Sequence, residues 1–265
     1  MISIAKVLET QSLIQAVESR AKSYEELRGK LEALKNNFSR IVNLDESFSG
    51  KGAEAIKGFY RGQMDVVDAW IRLIDRQVAF FYGIEGSMED MELANEATVH
   101  VSFLEDELAH RNHKDLEMVA SFQRELAAIL NQINDLVPLE IFSTDHFAEE
   151  LSKAENERKE TVIAIEQFDY ELKNEYYLSE ADEQYAEALM KQLIEATRQG
   201  NKTSPIHFNL EKYKTSELYK RMSQVEQQAA DYINFKEKQD EIRRVKEELG
   251  AKKLLEKKGE NESKN

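Results

Sequence analysis

N-L-D-E-S-F-S-G-K-G-A-E-A-I-K-G-F-Y, Asn43 to Tyr60, stands between two long heptad patterns, and its reading decides the fold. Before it, Leu13, Val17, Tyr24, Leu27, Leu31, Leu34, Phe38 and Ile41 recur at alternating spacings of three and four, interrupted at Arg20. A helix keeps one seam apolar by that period. After it, Ile56, Tyr60, Val67, Trp70, Ile74 and Phe81 resume the spacing, with Gln63 and Gln77 as polar interruptions. Between the two patterns, Asp45 and Ser47 can accept from orphan helix amides, while Gly50 and Gly52 can take the positive φ that a tight reversal requires. The stretch is read as a turn at which the chain folds back on itself.

Working outward, the first helix is expected from near Ser3 to about Leu44, a rod of about 60 Å at 1.5 Å per residue. The second is expected from about Gly52 to Tyr82. It carries a second row, Phe59, Val66, Leu73 and Phe80, at strict seven-residue spacing beside the first, so its apolar arc is wider than one partner helix needs. Two readings of that row stand. Either helix two is the centre of the chain's own bundle, or the row, with Trp70, is a docking face for another protein. Gly83 and Gly86 are expected to loosen the helix end, and Met88 to Thr98, acidic and aperiodic, reads as a loop.

Ser102 followed by Glu105 has the form of a capping box, opening a third helix that ends before Pro138. Val99, Val101 and Phe103 alternate too briefly for a strand, and almost no strand is expected anywhere. Ser143 or Thr144 can cap a fourth helix to about Tyr177, and Ser179, with Glu180 and Asp182, a fifth through Thr197, stopped at Gly200. A sixth begins near Ser216. The fold class expected is all-α, an elongated bundle of long antiparallel helices opened by a helical hairpin.

The turn also carries a resemblance. Phe48-Ser49-Gly50, followed by Lys51-Gly52-Ala53, Ile56 and Phe59-Tyr60, is similar to the LXG domain that heads polymorphic toxins of Gram-positive bacteria, with Phe48 where the family name has leucine. Similar segments come in order at Asp68 to Asp75, Ser102 to Leu108, Leu136 to Thr144 and Ser204 to Asn209. The resemblance implies an LXG-like domain over residues 1–235, with its WXG-like hairpin at 1–86 and later helices at 102–235. Residues 236–265, charge-dominated and poor in apolar side chains, are expected to be a frayed or disordered tail. A further similarity, to the Tyr-x-x-x-Asp/Glu export signal of small secreted hairpins, occurs at Tyr176 to Glu180 and Tyr213 to Glu217. Ten tyrosines among 51 acids in 265 residues give roughly two such pairs by chance, so the motif adds nothing.

Composition limits function independently. With 41% hydrophobic and 33% charged residues and only two prolines, the chain suits long helices rather than a sheet protein. Its net charge of −15 repels nucleic acid and anionic lipid. The absence of cysteine excludes disulfides and thiolate chemistry. No basic region followed by an apolar run opens the chain, and Val78 to Tyr82 is far short of the roughly 20 apolar residues that span a bilayer.

One cluster has metal-ligand types. Glu107 and His110 project to one helix face with His113 a turn on, but a di-iron bundle needs the Glu-x-x-His pair twice, and it occurs once. No metal and no cofactor are expected. Nor is catalysis: there is no nucleophile elbow and no phosphate-cradling loop, and His100, His146 and His207 lack partners at catalytic spacing.

Function is then implied by the resemblance. It points to a non-enzymatic export and targeting module of a type VII-secreted toxin, with no toxin domain in this chain. Its partners would be small helical-hairpin proteins and the secretion machinery at the membrane, and it would be cytoplasmic before a signal-peptide-independent export. The turn residues Phe48, Gly50 and Gly52 carry the family motif. The competing reading is a cytoplasmic coiled-coil scaffold that uses the same seams for self-assembly.

Overall fold

A computed structural model of the chain describes residues 6–46, 48–94, 98–132 and 139–262, with side chains up to Lys253. The described chain is all-α apart from two pairs of very short strands. It divides into two compact units, one of Met1–Leu13 with Met88–Tyr170, the other of Ile14–Ser87 with Glu171–Asn265. We call these the acidic unit and the hairpin unit.

In the hairpin unit, α1 (Thr10–Val42) and α2 (Lys51–Asp90) run antiparallel. Their register is fixed by ion pairs: Arg28 Nε lies 2.6 Å from Asp75 Oδ1, and Lys35 Nζ lies 2.5 Å from Asp68 Oδ1. Seven residues forward on one helix match seven backward on the other, as a heptad seam demands. Rings of Tyr24 and Phe81 meet at 5.6 Å and those of Phe38 and Tyr60 at 5.3 Å along the same seam. The opposite side of α2 packs on the end of α4 (Asp145–Glu195) and on the segments C-terminal to α4. Val66 and Ala69 join Tyr185, Leu189, Leu193, Phe208, Tyr213 and Val225 in one buried cluster. Leu189 and Leu193 are wholly buried, each worth about 2 kcal/mol in apolar burial.

After α4, β3 (Arg198–Gln199) pairs with β4 (Lys202–Thr203) across Gly200-Asn201, and Gly200 has φ +61°. A single 3-10 turn, Pro205–His207, leads to α5 (Leu210–Lys214), capped by Asn209, and α6 (Glu217–Lys220). Ser216 caps α6, its hydroxyl accepting from the Tyr219 amide at 3.2 Å. α7 (Met222–Glu262) then runs through position 236 without a break.

In the acidic unit, β1 (Val7–Glu9) pairs antiparallel with β2 (Thr98–His100), Leu8 opposite Val99. A π-helical stretch, Phe103–Leu108, leads into α3 (Ala109–Asn131), and the first part of α4 packs beside them. Its small core holds Leu8, Met88, Leu93, Val101, Val162, Ile165 and Phe168.

Several expectations need correction. α1 begins at Thr10, because the residues before it form β1 rather than helix. α2 continues to Asp90, past Gly83 and Gly86, whose missing side chains admit others: a Cβ at Gly83 would lie 3.1 Å from Lys236 Nζ, and one at Gly86 2.3 Å from Arg243 Nη1. The helix stops instead at Glu92, which takes φ +58°, with the Leu93 amide donating to the Met88 carbonyl at 2.8 Å. That is a Schellman termination with glutamate in the position glycine usually fills, and its apolar contact comes from buried Leu93 and Met88.

Ser102 is not a cap; it has helical φ and ψ and makes no side-chain cap bond. The fourth and fifth expected helices are one, since no Gly or Pro interrupts residues 139–199 and Ser179 merely bonds back to the Tyr176 carbonyl at 2.7 Å. At the start of α4, the Asp145 amide donates to Ser143 Oγ at 3.0 Å. Ser47, Ile133 and Pro138, expected at a cap and at a helix end, lie outside the described residues.

Candidate functional site

The turn is built around one left-handed residue. Gly50 has φ +95°, and its carbonyl accepts the first bond of α2 from the Glu54 amide at 3.0 Å. A side chain there would cost about 1 kcal/mol or more in backbone strain. Gly52 does not share that conformation. It lies within α2, where an added Cβ would meet Ile206 at 3.3 Å, so its smallness serves packing against the 3-10 turn. Phe48 is half-buried under the Lys57 ammonium, 5.8 Å from its ring centroid, and its amide donates to the Asp45 carbonyl at 3.1 Å.

The aromatic and aliphatic row on α2 lies inside the chain. Val66, Leu73 and Phe80 are buried, and Phe59 is packed against the core cluster with its ring edge-on to Phe208 at 6.1 Å. Phe80 meets Tyr176 of α4 at 5.7 Å. Of the two readings of this row, the chain's own bundle occupies it, because the end of α4 and the residues after it cover the face that α1 leaves free. Sequence periodicity finds such a row but not its partner.

What remains open is the other margin of the hairpin. A groove of about 470 Å³ is lined by Tyr24, Leu27 and Leu31 of α1 and by Trp70, Leu73 and Ile74 of α2, with Tyr176 and Glu183 of α4 at its side. Leu27 and, one heptad on, Leu34 are 45% and 41% exposed, although both belong to the α1 seam. In the part of α1 within this unit, only Ala21 is buried. α1 thus rests on α2 by one edge and offers the rest of its seam to solvent. Leu73 of the row, and Trp70 beside it, therefore also border an accessible apolar space.

Below the groove, charged side chains are held inside. Arg76 Nη1 pairs with Asp182 Oδ2 at 2.6 Å, and the guanidinium stacks 4.7 Å from the Tyr232 ring. Tyr232 donates to Glu175 at 2.5 Å, and Lys236 reaches the same carboxylate at 2.5 Å beside Gly83. Burial, then the bond to Glu175, pushes the Tyr232 hydroxyl up. Nearer the turn, burial and the neighbouring Asp68 charge push the Asp65 carboxyl up to about 6. Tyr213 of the Tyr-x-x-x-Glu pair is wholly buried, whereas Tyr176 is 42% exposed.

Sequence reasoning missed Gly62. A Cβ there would fall 2.3 Å from Leu193 Cδ1, so α2 and α4 approach closely at this point. Its signal was present, since Gly58 and Gly62 are four apart and share a helix face.

His113 Nε2 lies 3.3 Å from Glu117 Oε1 on an exposed helix surface. Among the described residues no group of three His, Asp or Glu side chains is placed to hold a metal ion, and no helix is long and apolar enough to cross a membrane.

Two comparisons bear on this architecture. The protein described as "Toxin YwqJ" of Bacillus subtilis (strain 168) is 35% identical over 244 residues, which are 92% of this chain and 40% of that protein. The chain therefore spans well under half the length of that relative. The family described as "LXG domain of WXG superfamily" matches residues 6–206, from β1 through the 3-10 turn that Gly52 receives. With its helical hairpin, its Phe48-Ser49-Gly50 turn and a match over most of its length, the chain belongs to the LXG domain family.

Proposed function

We propose that the chain is the export and targeting module of a type VII-secreted polymorphic toxin, non-enzymatic in itself, whose α1–α2 hairpin docks a small helical-hairpin partner protein. The toxic activity would reside in sequence other than this. The module is cytoplasmic until the assembled bundle is delivered to the secretion machinery at the membrane, and then leaves the cell without a cleaved signal peptide.

The observation that carries this reading is the half-covered α1 seam. Leu27 and Leu34 are exposed one heptad apart beside the groove that Leu31, Trp70 and Leu73 line. A second amphipathic hairpin could lay its own seam there and complete a four-helix arrangement, burying the leucines at about 25 cal/mol per Å².

The test is Leu27→Glu combined with Leu34→Glu. The expected result is unchanged helicity by circular dichroism, loss of co-purification with small helical-hairpin proteins from the native cell, and loss of the protein from culture supernatant at equal cellular levels. Retained binding and export would overturn the reading. A wild-type protein that never leaves the cell, yet assembles with itself through these leucines, would favour the scaffold.

A further inference from the structure

We propose that the far half of α7 is a self-docking surface, and that its occupant is the same helix of a second copy of the chain, laid parallel and in register. The proposal is independent of the α1–α2 groove and rests on two observations, an uncovered apolar stripe and the charges that flank it.

α7 has two faces. Val225, Ala229 and Lys236 are buried and Tyr232 reaches Glu175 of α4, so these four mark the side that packs within the hairpin unit. Phe235, Ile242, Val245 and Leu249 are 55%, 56%, 49% and 53% exposed. At 100° per residue they share an arc of about 80°, centred about a third of a turn from the packed side. From Arg244 to Lys253 every residue is exposed, yet the chain stays helical through Glu262. That stretch draws nothing from burial against its own chain, although tertiary packing of an apolar face is where most helical stability originates. The stripe is the face a second helix would cover.

Charge names the occupant. Phe235, Ile242 and Leu249 stand seven apart with Val245 between the last two, so they take the a positions of a heptad and Val245 a d position. Glu241 and Glu248 then fall at g, and Lys246 and Lys253 at e, all four exposed. When two copies of one helix lie parallel and in register, each g residue faces the e residue five positions on in the other copy. Glu241 of one copy meets Lys246 of the other, and Glu248 meets Lys253, each twice by symmetry. Laid antiparallel, the same helices would oppose g to g and e to e, glutamate to glutamate and lysine to lysine. The stretch is thus complementary to itself, and in one orientation only.

The chain's overall charge of −15 does not stand against this pairing. Met88–Tyr170, with 20 acidic and 6 basic side chains, carries −14 of it, whereas Phe235–Lys253 holds five acidic and seven basic. Lys238 and Lys252 take the other two d positions of the stretch, where each faces its own copy. Their ammonium groups must bend out to water, which leaves Ile242, Val245 and Leu249 as the dry centre of the seam and makes the dimer weak and concentration-dependent.

The test uses the full chain, which has no cysteine, so that a single introduced thiol reports its own neighbour. Sedimentation equilibrium should show the mass rising from one copy towards two as concentration is raised. Ile242→Asp/Leu249→Asp should weaken that association at least about tenfold, and Lys238→Leu/Lys252→Leu should tighten it by a similar factor. Glu241→Lys/Glu248→Lys should associate poorly alone and recover when mixed with Lys246→Glu/Lys253→Glu. A parallel pair brings position 252 of both copies together, so Lys252→Cys should form an intermolecular disulfide under mild oxidation, while Glu247→Cys, at the outward f position, should not. Leu27→Glu/Leu34→Glu should dimerise as the wild type does, so this proposal and the partner-docking reading fail separately. A chain that stays monomeric at every concentration, a dimer that Ile242→Asp/Leu249→Asp leaves intact, or one that Lys252→Cys does not cross-link would overturn the proposal. A monomer that instead floats with phosphatidylcholine vesicles or binds a foreign leucine-seam peptide, each lost in the aspartate variant, would assign the face to another occupant and overturn it equally.

Discussion

Arg76 of α2 and Asp182 of α4 are joined at 2.6 Å, with their side chains only 11% and 10% exposed. A buried pair of this kind does not stabilise much over a well-packed apolar pair, because both ions must be desolvated, but removing one partner strands the other. Arg76→Ala or Asp182→Ala should each cost about 3–5 kcal/mol, while Arg76→Met with Asp182→Leu should recover most of the loss. Urea titration of the three variants measures this. Equal losses in single and double variants would show that the pair sets nothing more than local packing.

Asp65 supplies a pH test. Its carboxyl is raised to about 6 from an ordinary value of 3.8, by burial first and by Asp68 second. The folded state therefore holds its proton more tightly than the unfolded one. The associated stability is present below about 4 and is lost as pH rises through about 6. Asp65→Asn should raise stability above pH 6 by about 1 kcal/mol, after allowing for solvent screening of a partly exposed group, and do little near pH 4. A stabilisation of equal size at both pH values would place its origin elsewhere.

Glu155 titrates with the opposite sign in the acidic unit. It accepts from Arg158 Nη2 at 2.6 Å and Nε at 2.9 Å, and that pairing holds its carboxyl down at about 2, against an ordinary 4.5. Arg158 in turn donates to the Leu104 carbonyl at 2.8 Å, so the pair ties α4 to the π-helical stretch. Its contribution is present above about 4.5 and is lost as pH falls through about 2. Glu155→Gln should cost about 1 kcal/mol at neutral pH, the carboxylate being partly exposed and so screened by solvent, and the difference should vanish in strong acid. Hydrogen exchange at the amides of 103–108 reads it locally.

The hairpin was legible because its signals are local. The heptad spacing on both sides of Asn43 to Tyr60 fixes two helices, and a glycine with φ +95° sits where a reversal needs one. What the sequence concealed is non-local or lacks its usual marker. β1 and β2 are three residues each, and Leu8 finds Val99 only through the fold. Glu92 ends α2 in a conformation usually left to glycine or asparagine, and no pattern of residues announces it. Ser179 has the form of a cap, yet without a nearby Gly or Pro the helix continues through it. The α2 row was visible, but whether Val66 and Leu73 meet this chain or another depends on α4, far along the sequence.

Gly62 and Gly29 make a matched pair. Gly62 would place a Cβ 2.3 Å from Leu193 Cδ1, whereas Gly29, on α1, has nothing within 4 Å of that position. Alanine in an open helix interior gains about 0.5–1 kcal/mol over glycine, so Gly29→Ala should stabilise the protein. At Gly62 the same gain meets a wholly buried leucine that cannot withdraw, and overpacking costs about 1–3 kcal/mol. Gly62→Ala should therefore be net destabilising. Thermal melts of the two variants decide it, and stabilisation by both would mean that α4 shifts freely against α2.

The turn itself separates stability from recognition. Gly50→Val forces a β-branched residue into φ +95°, at about 1 kcal/mol or more, but the strain is confined to the start of α2. Phe48 is only half-buried beneath Lys57, so Phe48→Ala should cost well under the roughly 3 kcal/mol of a fully buried phenylalanine. Neither change reaches the cluster around Leu189 and Leu193 that holds α2 to α4. The double variant should therefore keep its bulk helicity and most of its urea resistance. If the turn shapes the surface that a partner or the export machinery reads, the same variant should lose supernatant yield, and the matched measurement is partner co-purification at equal cellular levels. Export and binding both unchanged, with helicity preserved, would reduce Phe48 and Gly50 to a connector and leave recognition to the exposed leucines of α1.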